Sequence, residues 1–144
     1  MICVFSLSKA DIFRDGIEFA TKWLREKGEN PYYFREKKPK NGLLSGSIVL
    51  FSFEAQIFGQ ATVKENIQEV PLEERQRLKK EFGFDYKHYM ILNPINPRID
   101  IFPQCPKKKN VALKIGKEFA QLFTYINWEQ YQQILEMAGS RYIA

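Results

Sequence analysis

Two apolar runs dominate the hydrophobic pattern, Ile48–Phe53 and Ile57–Val63, separated by Glu54-Ala55-Gln56. β-branched and aromatic residues fill both, and the joint is short and partly polar, so the pair predicts a tight antiparallel hairpin. The first run is apolar almost throughout, the pattern of a strand covered on both faces. Gly59 in the second run predicts a bulge or bend, which lets a small sheet curl. The run Ile2–Leu7 predicts a second central strand.

Around this hairpin the pattern changes to helical spacing in three places. Ser8 fits the cap of a helix starting near Ala10, and Ile12, Phe13, Ile17, Phe19, Ala20, Trp23 and Leu24 recur at that spacing up to Gly28. Pro71 to Gly83 places its acids early and its bases late, the order the helix dipole favours. Asn127 and Gln130 hold capping-box positions for a last helix from Trp128 to about Ala138, with Gly139 ending it. Trp128 is assigned to the core.

Short strands are expected at Tyr32–Arg35, Phe84–Leu92, Ile99–Phe102 and Val111–Ile115. The segments 36–42 and 103–110 are expected as basic loops. The whole predicts a single α+β domain over residues 1–144, a small curled β-barrel of about five or six strands with peripheral helices.

Composition narrows the use of this fold. The chain is 15% aromatic, more than a core of this size requires, so some rings are available to face a ligand. Net charge is +5 and the sequence pI about 9.2, which favours an anionic partner. No apolar run is long enough to cross a bilayer, and the N-terminus shows no secretion signal, so no membrane partner and a cytoplasmic location are expected.

The chemistry of catalysis is thin. There is one histidine, His88, and the two cysteines, Cys3 and Cys105, have no metal-ligand spacing. The phosphate-loop, dinucleotide, nucleophile-elbow and zincin motifs are all absent. Asp85-Tyr-Lys87 offers part of a nuclease centre. The inventory favours binding over catalysis, with no cofactor and no metal.

The order of residues resembles a known family. Phe5-Ser-Leu-Ser-Lys9, a helix carrying Trp23 near its end, then Ile48-Val-Leu-Phe-Ser-Phe53 and Ile57-Phe-Gly-Gln-Ala-Thr-Val63 resemble the YTH domain, whose relatives in the PUA-like superfamily are the EVE and ASCH domains. The resemblance covers the first 65 residues or so, and the remainder by element order only. It implies a reader of a flipped, modified base held in an aromatic cage: N6-methyladenine, or a modified cytosine. It further implies a specificity module of a McrB-type, modification-dependent restriction system, within a longer protein, beside a fused AAA+ GTPase and a nuclease subunit. DNA is favoured over RNA on that ground.

Carried over by position, the resemblance implies Trp23 as a cage ring; the competing reading is that it completes the apolar stripe of its helix. Tyr32, Tyr33, Phe84 and Tyr86 are the rings available to close the pocket, with Phe82 beside them, and Asn30 is placed to meet a base edge or merely to form a turn. Ser8, Lys9, Arg35, Lys37, Lys38, Lys40, Lys107, Lys108 and Lys109 are candidates for contacts to the backbone phosphates, which position a nucleic acid without reading its sequence. The rival readings are an RNA-binding ASCH or PUA-type domain, a small carboxylate-dependent nuclease, and a groove for a peptide.

Overall fold

The computed structural model describes residues 1–7, 16–28, 30–35, 42–119 and 122–142. Ser8, Lys9, Lys37, Lys38 and Lys40 lie outside the described residues, as does the expected start of the first helix.

The strands are β1 (Ile2–Ser6), β2 (Tyr32–Phe34), β3 (Ile48–Phe53), β4 (Gln56–Glu69), β5 (His88–Leu92) and β6 (Phe123–Ile126). They form one mixed sheet in the order β2-β5-β4-β3-β1-β6, with β1 and β3 parallel and the other pairs antiparallel. The hairpin is present as expected, and every residue of β3 is buried. Its turn puts Glu54 and Ala55 both at positive φ, 49° and 62°, the handedness that a two-residue hairpin connection demands.

β4 is the element that curls the sheet. It pairs with β3 up to Thr62 and with β5 from Val63 onward, and its register slips at Phe51/Ser52 and twice more along β5. Each slip bends the strand and increases its twist. The sheet curls until its two edges meet: Phe34 on β2 lies 5.7 Å from Phe123 on β6, and Phe5 of β1 touches both. This is the expected curled α+β barrel.

Five helices are found among the described residues: α1 (Ile17–Lys27), α2 (Leu72–Phe82), α3 (Pro97–Asp100), α4 (Lys108–Ile115) and α5 (Trp128–Ala138). The sheet divides the core in two. Odd-numbered residues of β1 and β3 (Cys3, Phe5, Val49, Phe51) join Ala20 and Leu24 of α1 inside the barrel. Even-numbered ones (Val4, Ile48, Leu50) pack under Val111 and Ile115 of α4 and Tyr131, Ile134 and Leu135 of α5. That alternation is the two-residue period of a strand with both faces covered. Cys3 is fully buried, and burial pushes its thiol up to about 12.

Four expectations need correction. Val111–Ile115 is the end of helix α4, because Val111 and Ile115, four apart, are its buried residues, while Leu113 is 80% exposed. Ile99–Phe102 is not a strand: Asn96 caps the single turn α3, whose Asp100 is buried, and the segment meets the sheet through one isolated bridge, Ile101 to Gly59. The strand expected over Phe84–Leu92 begins at His88. Trp128 is not core: it is 51% exposed at the first turn of α5, where the Asn127–Gln130 capping box forms as expected.

Candidate ligand cavity

Three elements meet at one recess. α1 buries Ala20 and Leu24 against the barrel, which leaves Trp23 and Lys27, one turn apart, along its rim. β2 alternates, with Tyr32 and Phe34 inward and Tyr33 outward. α2 buries only Leu78, and turns Arg77, Glu81 and Phe82 to the same side. Between them is a cavity of about 340 Å³ lined by all of these except Ala20, Leu24 and Phe34, with Pro31 and Tyr86 completing the wall.

Trp23 has two kinds of neighbour. It packs edge-on against Phe51 at 5.6 Å and Tyr32 at 5.3 Å, and it also lines the cavity. The Lys27 ammonium sits 5.5 Å from the Trp23 ring centre and 5.3 Å from that of Tyr32, and donates to the Pro31 carbonyl at 2.9 Å. Two aromatic faces and a carbonyl thus hold one positive charge at the cavity wall. Arg77 carries a second, but its guanidinium is shared between Glu81 at 2.8 Å and Glu74. The hydrogen bond from Arg77 is the main reason the Glu74 carboxyl sits below its ordinary value. Tyr33 donates its hydroxyl to Glu74 at 3.3 Å; burial first, and Glu74 second, raise its pKa, so it remains a neutral donor.

The structure brings Trp23, Tyr32, Tyr33 and Tyr86 round this one space. Phe84 is not in the wall: it lies against Tyr86 at 6.1 Å and is covered by the Arg35 guanidinium at 4.5 Å. Arg35 is therefore spent on Phe84 rather than aimed into the cavity. Asn30 is exposed on the turn, its N–H bonded to the Lys27 carbonyl at 3.1 Å, and does not line the space either.

Lys107, Lys108 and Lys109 also stand apart, because α4 covers the opposite sheet face from α1. Lys107 bridges Gln56, and the Lys108 N–H bonds the Ala55 carbonyl at the hairpin turn. The Lys108 ammonium reaches the Ser6 hydroxyl, and burial lowers its pKa. The sequence pattern did not single out Lys27, Arg77 or Leu78. The signal for them was spacing: Lys27 is one turn beyond Trp23, and Arg77-Leu78 precede Glu81-Phe82 by one turn.

The carboxylates do not assemble a catalytic centre among the described residues. Asp85 is held by Arg75 through two hydrogen bonds of 3.1 and 2.8 Å, and this pairing holds its carboxyl below the ordinary value. Asp100 is buried, accepting from Asn96 N–H at 2.7 Å and Gln60 at 3.3 Å. No group of three His, Cys, Asp or Glu side chains able to hold a metal is found among the described residues. None of the described helices is long and apolar enough to cross a membrane.

No protein-family model and no curated protein matches the sequence. Solved structures do match. Protein Atu2648 of Agrobacterium tumefaciens aligns with a TM-score of 0.64 at 14% identity, over 96% of this chain and 93% of that one. The ASCH protein of Zymomonas mobilis aligns at 0.63 and 12% identity, over 96% of each chain. The YTH domain of Zygosaccharomyces rouxii MRB1, solved with N6-methyladenosine RNA, aligns at only 0.46, with 14% identity over 99% of this chain and 88% of that one, and bears no weight. The likeness shows the fold, the PUA-type α+β barrel of the ASCH structures.

Proposed function

We propose that the chain is a non-catalytic nucleic-acid-binding module that takes an extruded, modified base into the cavity between α1, β2 and α2. The observation that carries this reading is the convergence of Trp23, Tyr32, Tyr33 and Tyr86 on one recess with Lys27 at its wall. A base leaves its stack at a cost of a few kcal/mol. A ring beneath it returns about 1–3 kcal/mol, and a positive charge at the wall attracts the neighbouring phosphate.

A methyl on an exocyclic amine adds apolar surface. Covering one methyl against rings contributes about 0.8 kcal/mol, a preference of roughly fourfold. N6-methyladenine is the base proposed, with modified cytosine as the second. The polymer proposed is DNA, supported by the sequence resemblance to McrB-type restriction modules, and the fused AAA+ GTPase and nuclease subunit belong to that same proposal. The competing reading is an RNA-binding ASCH or PUA-type domain, and the chain shares its fold with the ASCH protein of Zymomonas mobilis.

Binding of the full chain to labelled hexanucleotides, DNA and RNA, with and without N6-methyladenine, tests the reading by fluorescence anisotropy at low salt. The methylated DNA is expected to bind about fourfold more tightly than its unmodified twin. Equal affinity for both removes the modified-base reading, tighter RNA binding moves the module to RNA, and no binding removes nucleic acid altogether.

A further inference from the structure

A second recess, of about 400 Å³, lies on the far side of Tyr33, sharing Pro31 and Tyr33 with the first cavity. Its chemistry is the opposite. Tyr33 and Tyr89 form two of its walls, their ring centres 6.0 Å apart and their planes at 50°, with Ile91 beside them. Glu73 and Glu74 supply its charge, and among the described residues no lysine or arginine lines it. Glu74 is engaged by Tyr33 and Arg77. The Glu73 side chain has no hydrogen bond or ion pair with any described residue.

A chain of net charge +5 has here a local anionic site beside two tyrosine rings that meet at an angle. A phosphate is repelled from it. A cation gains twice, from the carboxylates and from the negative faces of the rings. The rings also sort among cations: a bare ammonium keeps its water, whereas methyl groups on nitrogen spread the charge over apolar surface that Tyr33, Tyr89 and Ile91 can cover.

We infer that this recess is a binding site for a methylated ammonium group, with Tyr33 and Tyr89 as its two-ring cage and Glu73 as its counter-ion. The site shares the Tyr33 ring and Pro31 with the base cavity but opens on the other side of that ring, and it needs no nucleic acid. Two sources supply this chemistry, a free quaternary amine such as choline and the side chain of a methylated lysine on a protein.

Titration of the full chain followed by amide NMR shifts tests it, using choline, a short peptide carrying trimethyl-lysine, and 3,3-dimethylbutanol as the uncharged isostere. Shifts confined to Tyr33, Glu73, Tyr89 and Ile91 are expected, with the isostere at least about tenfold weaker. Affinity should fall as salt is raised. Glu73 is exposed, so Glu73→Gln leaves the fold intact and should weaken choline binding severalfold. Tighter binding of the peptide than of choline assigns the source to a protein. Equal binding of choline and the isostere, an unchanged Glu73→Gln variant, or shifts here only with an oligonucleotide each overturn the inference.

Discussion

Replacing Gly59 by alanine tests how closely α1 and α3 are drawn onto the sheet. A Cβ at this position would stand 2.6 Å from Leu24 Cδ2 and 2.8 Å from the Asp100 carbonyl oxygen. Neither neighbour retreats easily. Leu24 is 1% exposed, with the core behind it. The Asp100 carbonyl is strapped on both sides, by the Asp100 N–H to the Asn96 carbonyl at 2.8 Å and by the Phe102 N–H to the Phe58 carbonyl at 2.9 Å. Overpacking of this kind costs about 1–3 kcal/mol. For 144 residues the unfolding entropy at the midpoint is about 0.3 kcal/mol/K, so Tm should fall by roughly 3–10 °C. Thermal unfolding followed by circular dichroism reads this directly. Leu24 adjoins Trp23, so a displaced α1 should also shift tryptophan emission. A Gly59→Ala protein melting within about 1 °C of the parent would refute the close approach and the placement of Trp23 that depends on it.

The remaining predictions concern the helices on the other face. Asn127→Ala removes the capping box that closes α5, and should cost about 1 kcal/mol and about 3 °C in Tm, with Asn127→Ser restoring most of it. Lys108 is half-buried with its ammonium on Ser6, and its folded pKa lies below the ordinary 10.5, so the unfolded chain binds that proton more tightly. Its penalty is therefore complete below the folded pKa and disappears as pH rises toward 10.5. Lys108→Met should raise the urea midpoint at neutral pH, and the difference from the parent should shrink under alkaline conditions. A constant difference at both pH values would contradict this.

What was legible in the sequence followed from periodicity and end signals. The hairpin, its tight turn and the bend near Gly59 could be read because the two runs are β-rich and the joint is short. α2 and α5 could be read because Pro71, Gly83, Asn127, Gln130 and Gly139 mark their ends. Val111–Ile115 misled because five residues are too few to separate two periods. Only packing beneath α4 shows that Val111 and Ile115 share a face. Trp128 misled for a related reason: an aromatic residue at the start of an amphipathic helix does not disclose which face it joins.

For the cavity, the family resemblance put forward Trp23, and ring content and chain order added Tyr32, Tyr33 and Tyr86. They were not enough to separate Tyr86 from Phe84, because the deciding fact is Arg35 lying over Phe84. Nor did charge density locate the cation at the wall. The lysine cluster Lys107–Lys109 drew attention, whereas the cation set against the rings of the cavity is Lys27, held by Trp23, Tyr32 and the Pro31 carbonyl.

The central claim is that a base enters beside Trp23, and one optical measurement reaches it. The chain has two tryptophans, so Trp128→Phe, a change at an exposed site, leaves Trp23 as the sole reporter. Titrating this variant with a hexanucleotide bearing N6-methyladenine should quench Trp23 emission saturably, and the unmodified hexamer should need about fourfold more to reach half-effect. Binding detected by anisotropy with no change in Trp23 emission would place the nucleic acid elsewhere on the molecule and contradict the account.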